Sequence, residues 1–227
     1  MARNNFEEWL NQATEVFAPV VPSAPATQFL QLDLTEKNKE LTPEILQDTQ
    51  LFTDYINSKL AAAGARYGIG GYNEDRPIYS RSAVFDAAEP RRLHLGVDIW
   101  APPYTRVMAP LDGIVHSFAF NNAYGDYGTT VILTHNLHGL VFHTLYGHLS
   151  LNSIANMQEG DVIRKGNVFA GFGIPMENGQ WPPHLHFQVI IDMEGKKGDY
   201  PGVCAWSERE KYLSNCPDPA LLLNIKG

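Results

Sequence analysis

Residues 129–150 read TTVILTHNLHGLVFHTLYGHLS, two apolar, β-branched runs joined by Asn-Leu-His-Gly at 136–139. Runs rich in Val, Ile, Thr and Leu, broken by a short turn ending in Gly, form an antiparallel hairpin. Outward from it the texture repeats: GIVHSFAF before it, DVIRKGNVFAGFG and HLHFQVII after it, all short and bounded by Gly, Asp and Asn. Many short strands with turn signals between them predict a mainly antiparallel sheet or barrel-like β domain over residues 76–200.

Towards the N-terminus the pattern changes. Residues 5–17 carry Phe6, Trp9, Leu10, Ala13 and Phe17 on one helical stripe. FLQLDLT (29–35) alternates like a strand, and Thr42-Pro43 is a helix start, with Ile45, Phe52, Ile56 and Leu60 running on to Gly64. The expected organisation is therefore mainly β with α additions: a mostly helical N-terminal extension (1–75), the β domain (76–200) and a C-terminal tail packing on it (201–227).

Bulk properties narrow the function. The 227 residues are 44% hydrophobic and 19% charged, the composition of a globular chain with a real core. A net charge of −8, with no basic run beyond Arg91-Arg92 and Lys196-Lys197, disfavours nucleic acid, because phosphate contacts need clustered cations. No apolar run approaches the roughly 18 residues of a bilayer span. The N-terminus, interrupted by Glu7, Glu8 and Glu15, lacks the pattern of a secretory signal, which makes a cytoplasmic location the expectation. Cys204 and Cys216 then read as free buried thiols.

All eight histidines lie between positions 94 and 186. In RRLHLGVDIW (91–100), a strand puts His94, Gly96 and Asp98 on one face and Leu95, Val97 and Ile99 on the other. His and Asp four residues apart on a straight strand sit about 13 Å apart, so one metal could join them only if the chain bends, and Gly96 permits the bend. In WPPHLHFQV (181–189), His184 and His186 share a face while Leu185 and Phe187 point to the core. Burying two polar rings at adjacent same-face positions is costly unless both have partners. In TLYGHLS, Tyr146 and His148 share a face; His116, His135, His138 and His143 read as structural or surface residues.

Two histidines and one carboxylate make the ligand set of a catalytic zinc with a fourth position open to water. Two further histidines remain to move protons and steady an oxyanion. Spacing alone does not decide which of His184 and His186 is the ligand. A two-His-one-carboxylate iron site fits the count but has no use for the extra pair.

HLGVD (94–98), LYGHLS (145–150) and HLHF (184–187), with GDVIRKG (160–166) between the last two, resemble the lysostaphin-type (LytM-like) zinc endopeptidases. The resemblance covers roughly residues 90–192. It implies one zinc per chain held by His94, Asp98 and His186, with His148 and His184 as the catalytic pair acting on water and transition state. It implies a peptide or muropeptide substrate from peptidoglycan-type cross-links or stems. Two departures are visible: Trp181-Pro182-Pro183 replaces the small residues usual before His-x-His, and the expected cytoplasmic location differs from the family's exported wall enzymes. Two other functions share these residues, a non-catalytic metal-binding module and a hydrolase of small cytosolic amide conjugates.

Overall fold

The computed structural model describes residues 3–12, 15–25, 28–85 and 88–223. In chain order its elements are α1 (Arg3–Gln12), β1 (Phe29–Leu32), α2 (Pro43–Gln47), α3 (Thr49–Ala63), β2 (Tyr67–Gly70), β3 (Leu93–His94), β4 (Val97–Trp100), β5 (Arg106–Met108) and β6 (Gly113–Asn121). There follow β7 (Gly128–Leu137), β8 (Leu140–Leu149), β9 (Val162–Ile163), β10 (Val168–Gly171), β11 (His184–Ile190), β12 (Val203–Cys204), α4 (Arg209–Asn215) and α5 (Ala220–Leu223). Among the described residues no helix is long and apolar enough to cross a membrane.

The expected hairpin is β7–β8. Leu137 pairs with Leu140 across a His138-Gly139 turn in which both residues have positive φ, +51° and +91°. That left-handed pair matches the twist of the flanking strands, and Gly139 takes it without steric cost. Around the hairpin an eight-stranded sheet runs β1-β2-β4-β11-β8-β7-β6-β9, antiparallel except for β1–β2. Its two ends do not pair, so the sheet is open and the barrel-like expectation is corrected to an open twisted sheet. Closure would need β1 and β9 to meet, and each instead forms the outer edge.

The N-terminal segment supplies part of this sheet. β1 and β2 extend it beyond β4, with Ile69 opposite Ile99. The helical stretch after Thr42 divides at Asp48, whose carboxylate accepts from the backbone N–H groups of Gln50 and Leu51 and so caps a second helix. Gly64, at φ +61°, ends it in the left-handed conformation. The stripe expected over 5–17 is helical only to Gln12; Ala13 lies outside the described residues, and 15–17 have no regular structure. Phe6 nonetheless reaches the core, edge-on to Phe142 at 5.2 Å.

Strand alternation sorts the sheet into two faces. Val97, Ile99, Val131, Leu133, Leu185, Phe187 and Val189 point into the main core. Burying each large apolar side chain there stabilises by about 1.5–3 kcal/mol. On the other face lie Asp98, His184, His186 and Gln188, bordered by two smaller clusters. One holds Phe52, Trp100 and Trp181, the other Leu95, Tyr127 and Tyr200. Polar groups thus occupy a face that the same strands' apolar set leaves free.

His135 shows what a purely structural histidine looks like in this fold. Its Nδ1 lies 2.9 Å from the Asp112 carbonyl and its Nε2 2.7 Å from Thr144 Oγ1. Burial pushes its pKa down from 6.5 to about 4. The unfolded chain therefore takes up this proton first, so the stability it confers is complete above pH 6.5 and is lost as pH falls towards 4. The full effect is about 3 kcal/mol. We expect the unfolding free energy of metal-free His135→Gln to drop less than wild type's between pH 7 and 4.5, by about 2–3 kcal/mol in urea titrations. Equal drops would show that this ring does not govern acid sensitivity.

Candidate metal centre and cleft

His94, Asp98 and His186 meet as the sequence reading requires. β3 and β4 are separate strands, so the chain bends through Leu95-Gly96. A Cβ on Gly96 would stand 2.6 Å from His186 Cε1, so the missing side chain makes room for the imidazole. On β11, His186 lies opposite Asp98 on one side and Gly147 on the other, placing it in the middle of the sheet. His186 Nδ1 is 3.0 Å from His94 Nε2 and 3.0 Å from Asp98 Oδ1, and His94 Nε2 is 3.3 Å from Asp98 Oδ1. A tetrahedral zinc with bonds near 2.0–2.1 Å needs ligand atoms about 3.3 Å apart. The three atoms meet that test, and among the described residues they form the one group of three or more ligand side chains close enough to share an ion.

The site is buried and charged. Burial pushes the Asp98 carboxyl up, but His94 and Arg76 beside it outweigh this and hold it well below the ordinary carboxylate range. Arg76, only 1% exposed, binds Asp98 Oδ2 at 2.5 Å and Glu74 Oε2 at 2.5 Å. Asp98 therefore has one oxygen committed to Arg76 and the other facing the histidines. Burial, then the Arg76 charge, lower the His94 pKa to about 4, so at neutral pH the ring is neutral with a lone pair to give.

His148 and His184 stand beside this group, their rings stacked with centroids 4.1 Å apart. His148 Nδ1 is 2.8 Å from the Asn178 carbonyl and His184 Nδ1 is 2.7 Å from the Pro182 carbonyl. A carbonyl only accepts, so both Nδ1 atoms carry the hydrogen and both Nε2 atoms are acceptors. Burial, followed by the neighbouring His184, holds His148 well below 6.5. Burial also takes His184 to about 4.

How His148 reaches the cleft corrects the sequence reading. Tyr146 points into the main core, on the face opposite the site. The β7–β8 register shifts between Thr129 and Val131, and His148 adopts φ +61°. That conformation is uncommon outside Gly and costs of order 1 kcal/mol or more. It breaks the alternation that would have sent His148 to the core beside Tyr146.

The cleft, about 830 Å³ including its open mouth, is lined by His148, His184 and His186 and by both small apolar clusters. Trp181 stands edge-on to His148 and His184, with ring centroids 6.1 and 6.4 Å away, and forms part of the cleft wall. Leu34 and Phe52 line the same cleft, which brings the N-terminal segment into it. Arg76, Glu74, Tyr79, Tyr127 and Gln188 also surround the ligands and were not singled out from the sequence. Gln188 alone had a signal, since it continues the same-face series 184, 186, 188. His116, His135, His138 and His143 are not among the cleft-lining residues.

The profile of peptidase family M23 matches residues 92–199. The chain is 33% identical over 129 residues to a DD-carboxypeptidase/endopeptidase, Mpg, of Neisseria meningitidis serogroup B, covering 54% of this chain and 27% of the relative. It is 29% identical over 131 residues to an L-Ala–D-Glu endopeptidase of Bacillus subtilis, covering 54% of this chain and 37% of that one. The chain thus spans well under half the length of these curated relatives. Among solved structures, the catalytic domain of lysostaphin from Staphylococcus simulans aligns over 53% of this chain and 80% of its own, at 24% identity and a TM-score of 0.38. Residues 92–199, which match the profile of peptidase family M23, carry all five of the histidine and aspartate groups described above.

Proposed function

We propose that the protein is a zinc-dependent endopeptidase that cuts peptide bonds of peptidoglycan-type peptides. The observation that carries this reading is the convergence of three ligand atoms within 4.8 Å of one another beside two neutral imidazoles in one cleft. His94 Nε2, Asp98 Oδ1 and His186 Nδ1 would hold one zinc ion per chain. Zinc bound there supplies Lewis acidity, making water nucleophilic near neutral pH and polarising the substrate carbonyl.

The remaining work falls to the chain. His148 and His184 each present an unprotonated Nε2 able to take the proton of the attacking water; the ring that takes it then carries an Nε2–H that can steady charge on the carbonyl oxygen and deliver the proton to the departing amine. Their contact at 4.1 Å means that a proton on one disfavours a proton on the other, so the pair carries one proton at a time. Trp181 and the apolar wall from Leu34 and Phe52 exclude water from the substrate's flank.

The names of the two curated relatives, an endopeptidase for L-Ala–D-Glu bonds and a DD-carboxypeptidase/endopeptidase, support a peptidoglycan-type substrate class. The test is a mass-spectrometric digest of purified muropeptides with zinc-loaded protein, His148→Ala beside it. New amine-ended fragments from the intact protein alone are expected. No cleavage by protein that holds one zinc would sink the peptidoglycan reading and favour a small amide conjugate or a binding role.

A further inference from the structure

We infer that Gln188, oriented by the carbonyl of Pro201, is a positioning residue that fixes which nitrogen of His186 carries the hydrogen, and the inference rests on the reading of His94, Asp98 and His186 as metal ligands.

The chain of contacts begins outside the site. Gln188 is fully buried, two residues beyond His186 on the same face of β11. Its Nε2 lies 3.1 Å from the Pro201 carbonyl and 3.2 Å from Cys216 Sγ. The Pro201 carbonyl can only accept, so the amide group must turn its NH₂ towards it. The Gln188 oxygen then faces the other way, and its Oε1 is 2.9 Å from His186 Nε2. An amide oxygen only accepts, so His186 Nε2 must carry the hydrogen. Tyr127 Oη, at 3.4 Å from the same nitrogen, is a longer and weaker second contact.

With Nε2 protonated, the lone pair of the neutral ring sits on Nδ1, the atom 3.0 Å from both His94 Nε2 and Asp98 Oδ1. His94 is set by the same logic. Its Nδ1 lies 2.9 Å from the Gly71 carbonyl and must donate, leaving the lone pair on Nε2. Asp98 has Oδ2 held by Arg76 and turns Oδ1 inwards. With each ring carrying its one hydrogen on the far nitrogen and Asp98 a carboxylate, three acceptor atoms converge with no hydrogen-bond donor among them, and a cation satisfies all three. Partners behind metal-bound histidines generally fix ring orientation and tautomer in this way, and losing one typically costs 10–100-fold in metal affinity. Here the fixing runs through a buried amide whose own direction is imposed by proline, a residue that offers a carbonyl and no N–H.

The test reads the ring and the metal rather than turnover. In ¹⁵N-labelled, metal-free protein, long-range ¹H–¹⁵N correlation spectra should show His186 Nε2 protonated. Zinc loading should change Nδ1 and leave Nε2–H in place. Gln188→Met, which keeps length and volume but removes both amide contacts, should weaken zinc binding 10–100-fold in chelator competition. A wild-type His186 with its single proton on Nδ1 would overturn the inference by itself, whether or not the variant folds. A folded Gln188→Met that binds zinc within about twofold of wild type would overturn it too. If Nε2 is protonated yet wild type takes up no zinc, the metal reading fails and the tautomer assignment stands.

Discussion

His186→Ala is expected to lose zinc and all measurable turnover together, whereas His148→Ala keeps its zinc and loses about 10²–10⁴-fold in turnover. The two rings are neighbours, with centroids 6.3 Å apart, yet their connections differ. His186 Nδ1 is within 3.0 Å of both other ligand atoms, so its removal leaves two ligands, one short of a catalytic zinc's protein set. His148 has no contact with His94 or Asp98 of that kind; its Nδ1 is engaged by the Asn178 carbonyl and its partner ring is His184. Metal content by atomic emission, measured beside muropeptide turnover, separates the two effects. Equal metal loss in both variants would show that His148 belongs to the ligand set.

The route from sequence to this site was direct where local alternation governed and closed where tertiary pairing did. Leu185 and Phe187 point to the core and His184, His186 and Gln188 away from it, because a strand's period of two leaves no other arrangement. Gly96 was legible for the same reason: a ligand pair four residues apart needs a bend, and the only residue without a side chain stands between. His148 was legible as a residue type and not as a position. Its φ of +61° and the register shift against β7 place it, and nothing in Leu-Tyr-Gly-His announces either.

The N-terminal segment illustrates the other limit. Tyr-Gly-Ile-Gly at 67–70 has too little apolar periodicity to read as a strand, yet it extends the central sheet because β4 offers it an unpaired edge. Asp48 is likewise a cap only because the chain turns there; a helical stripe continuing through it reads equally well without the turn. Arg76 lies in a stretch, Asn-Glu-Asp-Arg-Pro, with every mark of a solvated loop, and long-range packing alone buries it against Asp98. Charged residues are almost never fully buried without partners, so its sequence gave no warning of its role.

Arg76→Leu should therefore be the most destabilising single change outside the main core, costing the metal-free protein about 3–5 kcal/mol. Burial works against the Arg76 charge, but Tyr79, Asp98 and Glu74 around it outweigh that and keep it charged at every accessible pH. Its guanidinium joins two carboxylates that would otherwise repel each other, Asp98 and Glu74, each at 2.5 Å. Leucine would fill much of the volume and pair neither, leaving the buried Asp98 carboxylate without its cationic partner. Arg76→Lys keeps the charge but lacks the fork that reaches both carboxylates at once, so an intermediate loss is expected. A zinc ion held by His94, Asp98 and His186 would supply a second source of positive charge beside Asp98, so loading should raise the stability of Arg76→Leu by more than it raises wild type's. Urea unfolding of chelator-treated and zinc-loaded protein gives all of these differences. A metal-free Arg76→Leu within about 1 kcal/mol of wild type would mean that Asp98 takes up a proton or finds another partner when the arginine is gone.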